Sequence, residues 1–250
     1  MKAATKWSLL GSVFGVAVAM CATRAEAGSV TLTFGDLVNG TYIENWFNGG
    51  QSSPPQLTNG PSDGVVFSAN ADELRRGTNG HAPSGGSGRF ENNPSGVNGV
   101  LYFPFSSSSL NNDTASYINV AGGFTGLSFY YSLIENSTSS FGEDTVKLYS
   151  GLNGSGSVLA TLALAPNSAT VACTTTGDEF CTWSLASFSN FGVAQSVYFG
   201  PLQSTPLEGY EFDDFTFSTP LPAALPLFAG GLGVISLFGL RRKRKSRAAA

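Results

Sequence analysis

Between positions 28 and 219 apolar and polar residues alternate with period two, and no stretch keeps a 3.6-residue apolar period. "SVTLTFGDL" sets Val30, Leu32 and Phe34 on one face, and "TGLSFYYSLI" does the same with Leu127, Phe129, Tyr131 and Leu133. "DTVKLYS" and "SVLATLAL" flank "GLNGSG", whose glycines and asparagine predict a hairpin. "AQSVYFG" and "GYEFDDFTFS" close the series. Turn residues recur about every ten positions, which predicts an antiparallel β-sandwich of roughly eight or more strands. Residues 48–100 are richer in Gly, Ser, Asn and Pro, and there only "DGVVFSAN" reads as a firm strand among long loops.

The two ends break this pattern. Lys2 and Lys6 precede an apolar run from Trp7 to Ala22, and Ala25-Glu26-Ala27 follows. That order is a signal peptide, residues 1–27, cleaved between Ala27 and Gly28 by the export machinery. A lipoprotein site at Cys21 would want a small residue where Met20 stands. At the other end, Leu221 to Leu240 carries no charge over 20 residues, enough for one transmembrane helix. A basic tail, 241–247, follows it and stays cytoplasmic by the positive-inside rule, so residues 28–219 face outward. The expected fold is therefore an all-β sandwich flanked by an N-terminal signal helix and a C-terminal transmembrane helix.

Charge sharpens this division. Charged residues make up only 12% of the 250, and residues 28–219 hold four bases against sixteen acids, a net charge of −12. Such a body repels nucleic acid and anionic lipid, and attracts cations. Cys173 and Cys181, in "CTTTGDEFC", survive signal cleavage; in an oxidising compartment they form a hairpin disulfide. Free thiols or a metal site are the alternatives, but no histidine lies nearby and two thiolates alone make a poor zinc site.

Catalytic chemistry finds little support. The body's one histidine, His81, sits in a Gly/Ser-rich loop, and no G-x-S-x-G elbow exists. "EFDDFT" resembles the E-x-D-x-x-E strand of one family of sandwich glycosidases through Glu211 and Asp213, but Thr216 stands where the last acid belongs. Exposed aromatics would point to glycan stacking. Trp46, in "YIENWFNGG", is the candidate ligand-binding platform, Tyr130 is a second, and Trp183 is expected to pack over the disulfide; ordinary packing is the alternative for each.

Residues 220–250 resemble the PEP-CTERM sorting signal, in the variant where Pro-Leu-Pro-Ala replaces Pro-Glu-Pro. The matching residues are Pro220, Leu221, Pro222 and Ala223, then "ALPLFAGGLGVISLFGL", then "RRKRK". Thr219 departs from the usual Val, and Leu221 lacks the acid of the main motif. The resemblance implies recognition by an exosortase, a membrane-embedded cysteine transpeptidase. It also implies tail removal, transient membrane anchoring, and a Gram-negative bacterium that makes exopolysaccharide. "VTLTFGDLVNGTYIENWF … GVVFSAN" is similar to the opening of many secreted PEP-CTERM proteins, and "YEFDDFTF" to the last strand of jelly-roll carbohydrate-binding modules. The second likeness implies a jelly-roll-like arrangement and a structural calcium between first and last strands. The corresponding acids are Asp36 and Asp214, or Asp213 in its place; Glu143 and Asp144 form a second acidic group. Solvated edge acids are the alternative. The organisation expected is a signal peptide (1–27), an extracytoplasmic β-sandwich (28–219) and a sorting signal (220–250). The function expected is non-catalytic association with extracellular polysaccharide, with a secreted glycan hydrolase as the alternative.

Overall fold

The computed structural model describes residues 28–53, 58–76, 89–103, 116–134, 145–168, 173–174, 178–199 and 209–220. The signal peptide with Ala27, His81, Glu143, Asp144, and Leu221, Pro222 and Ala223 with the helix and basic tail after them lie outside these residues. Among the described residues no helix is long and apolar enough to cross a membrane.

The described chain is all-β. Its strands are β1 (Ser29–Leu32), β2 (Val65–Phe67), β3 (Asp72–Leu74), β4 (Val100–Tyr102), β5 (Ser116–Phe124), β6 (Gly126–Ile134), β7 (Thr145–Tyr149), β8 (Val158–Ala163), β9 (Ser184–Phe188), β10 (Ala194–Phe199) and β11 (Gly209–Ser218). They form two antiparallel sheets. One runs β3-β4-β11-β6-β9, with β1 also on β11; the other runs β2-β5-β10-β7-β8.

Strand β11 organises the first sheet. It pairs with β6 along one side, and with β4 and then β1, end to end, along the other. Its register slips between Asp213 and Thr216, and Asp214 takes a left-handed φ of 54°. This β-bulge resets the pleat. Tyr210 and Phe212 point inward before it and Phe215 and Phe217 after it, so both halves of the strand feed the core.

That core is mainly phenylalanine. Phe199 of the second sheet meets Phe212 at 4.9 Å and Phe129 at 5.9 Å, and Phe129 stacks on Phe215 at 5.0 Å. Burial supplies about 1.5–3 kcal/mol per ring, and paired rings add about 0.5–1.5 kcal/mol. The four inward residues expected on β6 are all buried, and β7 and β8 form the expected hairpin.

Candidate functional site

The structure places the sequence-derived candidates in different settings. Trp46 is buried, at 6% exposure. The segment after it folds back through bridges Asn48–Ser62 and Gln51–Asn59, laying Gly60 on the indole. A Cβ at Gly60 would sit 2.5 Å from the Trp46 ring. This corrects the expected platform: the indole is a core side chain closed to a ligand. Tyr130 is half-buried beside Asp213 on the neighbouring strand.

Asp36 is exposed beyond β1, and Asp214 is half-buried on the β11 bulge. Among the described residues the two are not gathered with a third acidic ligand. Asp213, by contrast, is buried and occupied. Its Oδ2 accepts from Ser95 N at 2.9 Å and Asn93 Nδ2 at 3.1 Å, and its Oδ1 accepts from Asp214 N at 2.9 Å. Burial raises its pKa, and these hydrogen bonds work against the rise. Its task is to hold the turn at residues 93–97. Pro220 lies two residues beyond the end of β11, and Gly28 O accepts from Thr219 N beside it at 2.8 Å.

Cys173 and Cys181 are bonded, with Cα atoms 5.5 Å apart. Closing so short a loop stabilises by about 2 kcal/mol. Glu91 lies near both sulfurs, but disulfide sulfurs are not thiolates and hold no metal. The disulfide lies beside a second, smaller core of Leu74, Phe90, Val100 and Phe180, with Tyr102 and Trp183 against it. Trp183 packs on Phe90 at 6.5 Å and donates from Nε1 to Glu91 O at 2.9 Å. Arg76 reaches Asp178 at 3.1 Å and Glu91 at 3.6 Å, while Arg89 pairs with Glu179 at 2.7 Å.

This small core joins the face of the first sheet that carries Glu211, whose cross-strand neighbours are Tyr102 and Ser132. Glu211 is 1% exposed, and neither carboxyl oxygen has a hydrogen bond among the described residues. Burial, then the charges of Asp178 and Glu179, push its pKa well up. Tyr102 is pushed up to about 12 by burial and by Glu211 and Asp72. Glu211 and Asp213 share a face as expected, yet both are closed to solvent and offer a substrate no carboxylate.

A different face holds aromatic rings that are only half-buried among the described residues. On the outside of the second sheet Tyr198 stands directly across from Tyr117 on one neighbour and from Lys147 on the other. Tyr117 and Tyr198 lie 5.2 Å apart and Tyr149 lies 6.2 Å from Tyr198, so three half-buried rings stand side by side. Burial, then the neighbouring Tyr117 and Tyr149, raise the Tyr198 pKa. The loop after β7 walls this row. Asn153 N donates to Asn119 Oδ1 and Asn119 Nδ2 to Asn153 Oδ1, each at 2.8 Å, and Gly154 N donates to Ser196 Oγ at 3.0 Å. Gly154 has φ 68°, and a Cβ there would lie 2.6 Å from the Tyr117 ring, so only glycine lets the loop come this close.

Tyrosine rings carry a large apolar surface and a polar hydroxyl, the combination that holds a sugar ring by stacking and hydrogen bonding. None of the three is among the candidates read from the sequence. The signal was nonetheless present: in "DTVKLYS" and "AQSVYFG" the residues on the polar parity are Lys147, Tyr149 and Tyr198, and aromatics on an outward face are informative.

No protein-family model matches the sequence, and no curated protein is similar to it. Among solved structures, the K2 cleaved adhesin domain of Lys-gingipain matches at 15% identity and a TM-score of 0.41, covering 77% of this chain and 100% of that one. The K1 cleaved adhesin domain of Lys-gingipain from Porphyromonas gingivalis W83 matches at 11% identity and a TM-score of 0.36, covering 77% and 99%. Similarity at this level assigns no function.

Proposed function

We propose that this chain is an exported, C-terminally sorted surface or extracellular-matrix protein whose non-catalytic β-sandwich binds exopolysaccharide on its tyrosine face. The observation that carries the binding role is the row Tyr117–Tyr198 with Tyr149 beside it, half-exposed on one sheet face and walled by the Asn153 loop. The disulfide supports an oxidising, extracytoplasmic setting. The sorting role is supported by the Pro220–Ala223 motif, the apolar run and the basic cluster, in that order. Its agents are the export machinery, a signal peptidase acting after Ala27, and an exosortase-type transpeptidase acting on a chain anchored through 221–240. The alternative is a secreted glycan-active hydrolase of unfamiliar type, to which the buried pair Glu211 and Asp213 offers no accessible carboxylate.

Two measurements test the two parts. On a panel of neutral and acidic glycans the exported protein binds at least one, and Tyr198→Ala weakens that binding tenfold or more, about 1.4 kcal/mol. Unchanged binding in Tyr198→Ala removes the face from the function. The intact mass of protein recovered from its native surface begins at Gly28 and lacks Arg241 to Arg247. A mature chain that keeps those residues is permanently anchored and unsorted.

A further inference from the structure

We infer that the glycan held by the tyrosine face is acidic, a polysaccharide bearing carboxylate groups, and that Lys147 selects it. This rests on the glycan-binding role proposed above and adds the charge class of the ligand. The observation is where the few bases lie. Of the four in residues 28–219, Arg75 faces Glu73, Arg76 faces Asp178 and Glu91, and Arg89 faces Glu179. Lys147 forms no ion pair among the described residues, and it sits in the tyrosine row, directly across from Tyr198.

No acid stands on the strands around it; Glu143 and Asp144, just before β7, lie outside the described residues. The five strands of the second sheet, β2, β5, β7, β8 and β10, contain no Asp or Glu. The first sheet carries Asp72 and Glu73 on β3, and Glu211, Asp213 and Asp214 on β11. Lys147 is thus the one charged residue on the five strands that carry the tyrosine face. A sugar ring resting on Tyr198 places its substituents about one strand spacing, roughly 4.8 Å, from the Lys147 backbone. That is within reach of the ammonium group. A neutral glycan would gain only hydroxyl contacts there, whereas a uronate gains an ion pair.

The test is affinity electrophoresis of the exported protein in gels containing polygalacturonate or dextran, with EDTA present so that calcium cannot bridge polymer and acidic body. The inference expects retardation by polygalacturonate about fivefold stronger than by dextran, the scale of one exposed ion pair. Lys147→Ala is expected to lose about that factor toward polygalacturonate and to leave dextran unchanged, and Lys147→Arg to keep it. If Tyr198→Ala abolishes binding while Lys147→Ala changes nothing, or if dextran binds as well as polygalacturonate, the glycan-binding role stands and the acidic class is wrong. Retardation by neither polymer, with no binding on the wider panel, overturns both.

Discussion

Replacing Phe212 with Ala lowers the unfolding free energy by about 3–5 kcal/mol, the largest single-site loss expected in the sandwich. Phe212 is fully buried, and its ring lies within 4.9–6.1 Å of Phe103, Phe129, Phe199 and Phe215. Phe199 comes from the opposite sheet, so the cavity opens between the sheets, where neither can collapse without giving up its own pairing. A small domain is stable by only about 5–15 kcal/mol, so the variant sits near the edge of folding. Urea unfolding of the protein measures the loss. Phe212→Leu, which keeps most of the volume, is the control and costs about 1–1.5 kcal/mol. An equal loss in Phe212→Ala and in the outward-facing Tyr149→Ala would mean that the ring cluster does not carry the fold.

Raising the pH destabilises this protein between about pH 4.5 and 9, and Glu73 is the first reason. Its side chain is fully buried on β3, its oxygens lack hydrogen bonds among the described residues, and Arg75 stands 3.6 Å away. Burial pushes its pKa up to about 9, against the lowering pull of Arg75. In the unfolded chain a glutamate titrates near 4.5. The native state therefore holds a proton that the unfolded state releases, and the stability this supplies is complete below pH 4.5 and lost as pH rises through 9. Buried Glu211 acts in the same direction. Urea midpoints are expected to be higher at pH 5 than at pH 8.5. Glu73→Gln, which keeps the shape without the proton, should flatten the profile and gain on the order of 2–4 kcal/mol at pH 8.5. A wild-type midpoint that rises toward pH 8.5 would show that the carboxyl is charged in the folded state.

The fold class was legible because strands with one buried face alternate visibly, as β6 and β7 do. Strands β3 and β9 were not, for physical reasons. The first reads Asp-Glu-Leu and is buried at all three positions, so its acids conceal a core strand. The second is five residues long and has an exposed Leu185. Strand β5 passes through a Gly-Gly pair that reads as a turn. Trp46 was misread because a tryptophan before a Gly-rich loop gives no sign that the loop returns to cover it. The tyrosine face escaped notice because it is spread over three strands distant in sequence, β5, β7 and β10, and exists only through their register. Lys147 could not be distinguished from the arginines until the structure assigned each arginine an acid.

The bulge at Asp214 also governs which changes of length the last strand can absorb. Between Asp213 and Thr216 the chain spends three steps where β6, from Tyr130 to Ser128, spends two. Loss of one residue here would turn the bulge into regular pleat, leaving Phe212, Phe215 and Phe217 still facing inward. The same deletion between Tyr210 and Phe212 would exchange inward and outward faces over one half of the strand or the other. The strand therefore carries a single spare residue, placed where it is cheapest to lose, and related chains that differ in length within β11 are expected to differ at this point.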